Sequence, residues 1–433
     1  MSEHAGLTFS TFRASEQPEQ PGQPEQPEQP ERLAGWLEAA ARGFHQPRTS
    51  EDMRRHSREH LLADEVLMRG VWQEAPVLGS GAIPVATYAS YDKTINTGRG
   101  LRPVRMVSDV TVSPTHRRRG LLRAMMTEDL QDATTRGIPL AVLTASEGTI
   151  YGRFGFGPAV FQHALVVDTG TRFRLRGADD SGSVELIDPM EAWPSMATVF
   201  ARFHEQTRGS VERPRFYQTF LTGEFDFESG PDRKIWTAVH LDAAGTPDGY
   251  VAYRPGPRED GHRAIKVSDL VALTPSAYLR LWRFLADLDL SDTVEWDRAP
   301  LEDPLAWALV DPWLSKVTRR TEALWVRVLD VPVALEGRPW GRDGDLVIEV
   351  ADPLGHAAGR FRVVTRDGAA AVTTTDAEPD VLMEAETLGA LYLGGVRADT
   401  LRRAGRVSGT DEALDTWAAM VDTGPAPYCL TGF

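Results

Sequence analysis

Ser113 to Met126 reads SPTHRRRGLLRAMM. Three consecutive arginines, Arg117 to Arg119, are followed by Gly120 and then by an apolar helical pattern that starts at Leu121. Residue types in this order can hold a compact anion. A helix N-terminus presents unpaired N–H groups and a partial positive charge before any side chain acts. Arginines in the same loop add bidentate contacts to phosphate, and a glycine lets backbone come close to a ligand. The geometry suits a pyrophosphate. The competing reading is a solvated basic face or a partner contact, which short basic runs commonly form. No GxGxxG and no Walker lysine accompanies the loop, so neither a dinucleotide fold nor a P-loop is supported.

Other chemistry-bearing patterns are weaker. HSREH, His56 to His60, has the H-x-x-E-H spacing of a zinc helix, but no third ligand helix is evident downstream, and no metal is expected. Cys429 is the only cysteine, which excludes an intramolecular disulfide and a thiolate cluster. There is no G-x-S-x-G, and no histidine near Cys429 to activate it; a packed thiol is expected.

The elements that must position the arginine loop follow an α/β order. Ile83 to Tyr91 and Arg102 to Val112 have the alternating, β-branched character of strands. Arg119 to Thr135 reads as a helix, Pro139 to Ala145 as a buried strand, and Glu147 to Phe154 as a short helix that Ser146 can cap. Upstream, LTFSTF (Leu7 to Phe12) reads as a strand and Arg32 to Arg42 as an amphipathic helix. Between them lies the proline-rich EQPEQPGQPEQPEQPE, Glu16 to Glu31, expected to be an extended, solvated spacer.

The chain of 433 residues suits about three domains at ~150 residues each. An internal echo supports that division: VSDVTVSPTHRRRGLLRAMM begins at Val107, and VSDLVALTPSAYLRLWRFL begins at Val267. Both read strand, Ser/Thr-Pro turn, amphipathic helix, and the second lacks the arginine triplet and the glycine. A duplicated domain of which only the first copy keeps the chemistry is expected. From about Ala323 a third region of strands, then helices, runs to an apolar tail, DTGPAPYCLTGF, ending in Phe433.

The formal net charge is −15, which argues against a nucleic-acid partner, because phosphate affinity needs a broad basic surface. No apolar run approaches the ~18 residues of a membrane span, and no signal-peptide pattern opens the sequence. A cytoplasmic protein without membrane partners is expected.

Arg118-Arg119-Gly120-Leu121-Leu122 resembles the Q/R-x-x-G-x-G/A acetyl-CoA loop of the GNAT acetyltransferases, with Leu122 where Gly or Ala is usual. VSPTHRRRGLLRAMM, then ASEGTIYGRFGFGPA (Ala145 to Ala159), then a chain ending in Phe, is similar to the enhanced intracellular survival (Eis) family. The resemblance spans the chain and departs at the proline-rich insertion. It implies an α/β (α+β) fold of tandem GNAT-like domains with mixed sheets, plus a sterol-carrier-like C-terminal domain. The expected limits are 1–180 for the catalytic domain, 181–320 for the second GNAT-like domain and 321–433 for the third.

The resemblance also implies chemistry: acetyl transfer from acetyl-CoA to amines, notably several amines of aminoglycosides and lysine side chains, by a hexameric enzyme. Val110, Thr111 and Val112 match the segment along which pantetheine runs as an added strand. Arg118, Arg119, Gly120, Leu121, Leu122 and Arg123 match the pyrophosphate loop, and Ser146 and Glu147 a further cofactor contact. Tyr151 matches the general acid. A phenol with pKa ~10 keeps its proton at neutral pH, against ~8.5 for a typical thiol; an aromatic packed with Phe154 and Phe156 is the plainer alternative. The Phe433 carboxylate matches the general base, although its ~3.5 lies far below an amine's ~10.4, so attraction of the ammonium matters as well. Asp109 adds a carboxylate for cationic substrates, or is a structural strand residue like Asp269 in the second copy. A protein-lysine acetyltransferase and a lipid- or CoA-binding module without turnover are the alternatives. The latter requires an apolar tunnel in the third domain.

Overall fold

The computed structural model describes residues 4–14, 29–78, 81–177, 182–227, 229–259 and 262–433. Most of the proline-rich stretch lies outside these residues, but its last three, Gln29 to Glu31, already belong to the first helix. At these three residues helix replaces the extended backbone expected, with Pro30 in the first helical turn, where its missing N–H costs nothing.

The first repeat comprises β1 (Leu7–Phe12), α1 (Gln29–Gly43), α2 (Glu51–Ala63), β2 (Leu67–Gln73), β3 (Ala86–Asn96), β4 (Leu101–Val112), α3 (Leu121–Thr135), β5 (Leu140–Leu143) and β6 (Gly157–Asp168). The second has β7 (Ser183–Ile187), α4 (Pro189–Gln206), α5 (Phe216–Thr222), β8 (Trp236–Leu241), β9 (Pro247–Glu259), β10 (His262–Ala272), α6 (Pro275–Ala286), β11 (Thr293–Pro300), α7 (Leu305–Ala308) and β12 (Ser315–Val328). Strand alternation sends successive side chains to opposite faces. Met106 and Val142 meet Trp36 and Leu37 of α1 on one face, while Val107 and Ala141 meet Met125 and Leu130 of α3 on the other.

The two repeats do not build separate sheets. One sheet of twelve strands runs β1-β2-β3-β4-β5-β12-β6-β11-β10-β9-β8-β7. Strand β12, at the end of the second repeat, pairs Trp325–Val328 with β5 of the first, and β6 of the first repeat pairs with β11 of the second. Each repeat thus borrows its closing strand from the other, and position 320 falls inside β12.

The echo has a structural counterpart. Strand β4 pairs in parallel with β5 up to Val107↔Leu143, and β10 pairs in parallel with β11 up to Val267↔Trp296. In both repeats the strands then part. Their helix entries differ. Thr274 caps α6 directly, its hydroxyl accepting from Ala277 N at 3.1 Å. In the first repeat a 3-10 turn, Pro114–His116, and the arginine loop come before α3, which has no side-chain cap.

The third unit holds α8 (Val331–Glu336), β13 (Gly344–Ala351), β14 (Gly359–Arg366), β15 (Ala369–Thr374), β16 (Val381–Glu384), α9 (Ala385–Tyr392), α10 (Ala398–Arg403), β17 (Val407–Gly409) and α11 (Asp411–Val421). Its sheet runs β15-β14-β13-β16-β17. Ile348, Val363, Leu391 and Trp417 are fully buried in one apolar core. Helix α9 docks on β12 and β6 at backbone distance: a Cβ at Gly389 would stand 2.1 Å from the Val326 carbonyl oxygen. Only glycine fits there.

Candidate functional site

The arginine loop is positioned by a buried ion cluster on α3. Asp129, fully buried, accepts from Arg69 Nη1 (2.7 Å), Arg105 Nη1 (2.6 Å), Ser90 Oγ (2.6 Å) and the Tyr88 hydroxyl (2.8 Å). Arg105 also grips Asp92 and Asp132. This fastens α3 to β2, β3 and β4. At its start Gly120 takes φ 72°, the left-handed region that glycine enters without strain. No acidic residue lies in the first turn of α3, and the N–H groups of Leu121, Leu122 and Arg123 precede its first intrahelical bond, Ala124 N to Gly120 O. Arg117, Arg118 and Arg123 are exposed. Among the described residues none of them, nor Arg119, pairs with a carboxylate; Arg119 Nη2 reaches the Ala5 carbonyl at 3.4 Å. His116 beneath the loop is buried, and burial and then Arg119 lower its pKa, so it adds no charge at neutral pH. Arginines without carboxylate partners over an uncapped helix end concentrate positive charge and free N–H donors in one place.

Beside the loop lies an open strand edge. Past Val107, β4 keeps its pairing with β3 on one side, Thr111↔Thr87 and Val112↔Ala86, but leaves β5 on the other. Ser108 to Val112 therefore present unpaired backbone along the fork. A bulge falls there: the register shifts between Thr87 and Ala89, Asp109 takes φ 49°, and the Thr87 hydroxyl donates to the Asp109 carbonyl at 2.8 Å. Bulges re-aim side chains near active sites. Desolvation pushes the Asp109 carboxyl up to about 6, against a smaller opposing hydrogen bond from Ser108.

Across the fork, the expected helix over Glu147 to Phe154 is absent. Residues 146–151 form bends and turns, and only Gly152–Phe154 is a 3-10 helix. Gly148, Gly152 and Gly155 favour turns over helix here. Ser146 caps no helix, and Tyr151 itself stands at the start of the 3-10 turn. Ser146 and Glu147 are exposed on the turn. The Tyr151 ring is buried with Val107, Leu143, Trp325 and Phe156, the last at 6.4 Å edge-on. Among the described residues its hydroxyl has no hydrogen-bond partner and is not sealed from solvent. Burial, and secondarily the Glu147 charge, raise its pKa, so it stays protonated at neutral pH. The ring is thus a core aromatic, as the plainer reading expects.

The chain's last residue reaches the same fork. The Thr144 hydroxyl, just past β5, donates to a terminal oxygen of Phe433, and the Phe433 ring meets Tyr91 of β3 edge-on at 6.5 Å. Tyr91 is buried, and burial raises its pKa, with Asp109, Asp64 and Tyr217 adding to the rise. Asp64 is held by Lys93 Nζ (2.7 Å) and by the N–H of Arg215 (2.7 Å). The structure thus gathers Asp109 and Phe433 about Tyr91, with Tyr151 packed under the fork. Asp64, Tyr91, Asp129 and Thr144 carry no signal in the sequence, because none belongs to a local pattern. His56 and His60 lie one turn apart on α2 and are both buried. Their rings stack at 6.5 Å and pack on Phe225 and Phe227, and among the described residues no group of three or more metal-ligating side chains occurs. Burial lowers His60 to about 4.

Comparison with known proteins finds matches over both repeats and the third unit. Family models for GNAT acetyltransferase domains match residues 26–159 and 209–328, and a sterol carrier protein domain model matches 331–430. The chain is 39% identical over 345 residues to N-acetyltransferase Eis of Mycobacterium tuberculosis, covering 78% of this chain and 82% of that one. The crystal structure of Eis1 from Mycobacterium abscessus superposes with a TM-score of 0.74 at 32% identity, over 84% of this chain and 91% of the other. A GCN5-related N-acetyltransferase from Anabaena variabilis shares the fold over 98% of this chain, with a TM-score of 0.79 at 19% identity.

Proposed function

Since the chain belongs to the Eis family of GNAT N-acetyltransferases, we propose that it acetylates primary amines of polycationic small molecules such as aminoglycosides, at one or several positions. The observation that carries this reading is the convergence of the open β4 edge, the unpaired arginine loop and the Phe433 carboxylate on one fork. Acetyl-CoA supplies the activated acyl group. Arg118, Arg119 and Arg123 with the N–H groups of Leu121 and Leu122 hold its diphosphate, and the backbone of Val110, Thr111 and Val112 orients its amide-bearing arm.

The Phe433 carboxylate draws the ammonium in and takes up its proton directly or through water, which frees the nitrogen lone pair. As the N–C bond forms and the C–S bond breaks, the Tyr151 hydroxyl gives its proton to the leaving sulfur, and the second proton, shed by the acylated nitrogen as it becomes an amide, returns through water to the Tyr151 phenolate. The desolvation that raises the phenol also raises the basicity of a thiolate beside it, so the two stay matched without help from a helix. Asp109 adds negative charge for a polycation. The hexameric assembly and the cytoplasmic location belong to the same reading; no helix among the described residues is long and apolar enough to cross a membrane.

The test is turnover of acetyl-CoA with a panel of aminoglycosides, linear polyamines, simple monoamines and a lysine-rich peptide, with acetyl groups counted by product mass. Polyamines should exceed monoamines by at least about tenfold in kcat/KM, the scale of electrostatic selection. Preference for the peptide would replace the small-molecule reading with protein acetylation.

Asp109 gives this site a pH signature. The carboxyl is neutral below about 6 and charged above it, so KM for a polyamine should fall as pH rises from 5 to 7. Asp109→Asn should lose that step. The stability sign is the reverse. A folded pKa raised above the unfolded one destabilises as pH climbs through it, so the wild type should lose ground to Asp109→Asn between pH 4 and 7. A KM profile unchanged by the substitution would remove Asp109 from the substrate site.

A further inference from the structure

The second repeat lacks the arginine loop, and its helix α6 is closed by its own Thr274 cap. Yet its fork is occupied. Asp269 stands two residues past the last parallel pair, as Asp109 does in the first repeat. Here the carboxylate is buried, paired with Arg213 Nη2 at 2.7 Å and accepting from the Tyr250 hydroxyl at 2.6 Å. Arg298 stands two residues past Trp296, as Ala145 stands two past Leu143. The backbone that meets Arg298 is the chain's own C-terminal tail.

Arg298 Nη1 donates to the Leu430 carbonyl at 2.9 Å, and the Arg298 carbonyl accepts from the Tyr428 hydroxyl at 2.6 Å. The Tyr217 hydroxyl on α5 accepts from Gly432 N at 2.8 Å and from Arg298 Nη1 at 3.3 Å, and it can donate to the Leu430 or Gly432 carbonyl, each at 3.3 Å. The Thr431 hydroxyl donates to the Val211 carbonyl at 2.6 Å, and Leu430 packs with Tyr250, Ala252 and Val271. The Arg213 guanidinium lies 4.5 Å from the Tyr217 ring centre. It thereby links Asp269 to the residue that holds Gly432.

We infer that the second repeat is a clamp: Arg298 and Tyr217, at and beside its fork, hold Leu430 to Gly432 and so position the Phe433 carboxylate at the fork of the first repeat. Both are positioning residues and touch no reacting atom. The clamp stands on the hydrogen bonds above, while its consequence for acyl transfer rests on the reading of Phe433 as the base.

The experiment separates the two. Full-length wild type, Tyr217→Phe, Arg298→Met and Arg298→Lys are exposed to a carboxypeptidase, and loss of Phe433 is followed by intact mass. Kinetics are run on the same variants and on a chain lacking Phe433. Tyr217→Phe removes one oxygen from a folded aromatic, so it guards against a global effect of the arginine change. Tyr217→Phe and Arg298→Met should release Phe433 about tenfold faster, the effect of one net hydrogen bond on a local opening. Their kcat should fall while KM for acetyl-CoA holds, and Arg298→Lys should restore most of both. Release at the wild-type rate in both variants overturns the clamp, whatever their activity. Faster release, together with full activity of the chain lacking Phe433, supports the clamp and sinks the base.

Discussion

A chain ending at Gly432 is expected to bind acetyl-CoA like the wild type and to lose about 10²- to 10⁴-fold in kcat, the usual contribution of a positioned general acid or base. The truncation leaves the arginine loop, the β4 edge and the contacts of Leu430 and Thr431 untouched. It creates a new carboxylate one residue short of Thr144. Geometry is steep in such sites, and a displaced base does not recover the rate. Tyr151→Phe is the companion change: the ring stays packed against Phe156 while the proton donor is gone. Its loss should appear in kcat with KM for acetyl-CoA nearly constant. Because the acid and base serve one transfer, the double variant should be little worse than the poorer single one. Turnover within about twofold of wild type in both single variants would remove both residues from the chemistry.

Asp129→Ala is expected to cost about 3 kcal/mol of stability, because it takes the one fully buried carboxylate from two buried guanidinium groups, leaving Arg69 only the exposed Glu128 at 3.6 Å while Arg105 keeps Asp92 and Asp132. Arg69 and Arg105 are almost wholly buried, and each has an oxygen of Asp129 as its innermost charge partner. The Tyr88 and Ser90 hydroxyls lose their acceptor as well. Asp129→Asn keeps the shape and one acceptor oxygen, so its loss should be smaller. Both are measured by chemical denaturation with the wild type alongside. The structural consequence is local to α3, whose first turn carries the anion loop, so acetyl-CoA affinity should weaken before the molecule unfolds. An Asp129→Ala midpoint within experimental scatter of the wild type would mean that the ion cluster does not fix the helix.

Much of the site was legible in the sequence, and for a physical reason. An anion loop is a contiguous device: strand end, arginines, glycine and helix start sit within Ser113 to Met126, and local backbone preference alone sets their order. The duplication was legible because Val107 and Val267 open similar stretches, and each ends a parallel pair in the fold. The odd apolar tail pointed to an anchored terminus, and Phe433 is anchored.

What the sequence misjudged was local as well. Glu147 to Phe154 has helical spacing of apolar residues, but its glycines lower the value of a helix, and the turn it forms instead lets Phe154 and Phe156 enter the core under the fork.

The rest was decided only by tertiary structure, because it depends on partners far apart in the chain. That β6 and β12 exchange between repeats follows from which edge each strand finds, and an alternating pattern says which face a strand buries but not its neighbour. Asp129, Arg69 and Arg105 are ordinary charged residues until α3 lies on β3 and β4. Tyr217, Arg298 and Asp269 become a clamp only when residues 428–433 thread between the repeats. The sequence alone determined the arginine loop and the repeat; the union of a strand fork, a buried tyrosine and the far end of the chain came from packing, which brings distant residues to one place at an entropic cost that no local pattern records.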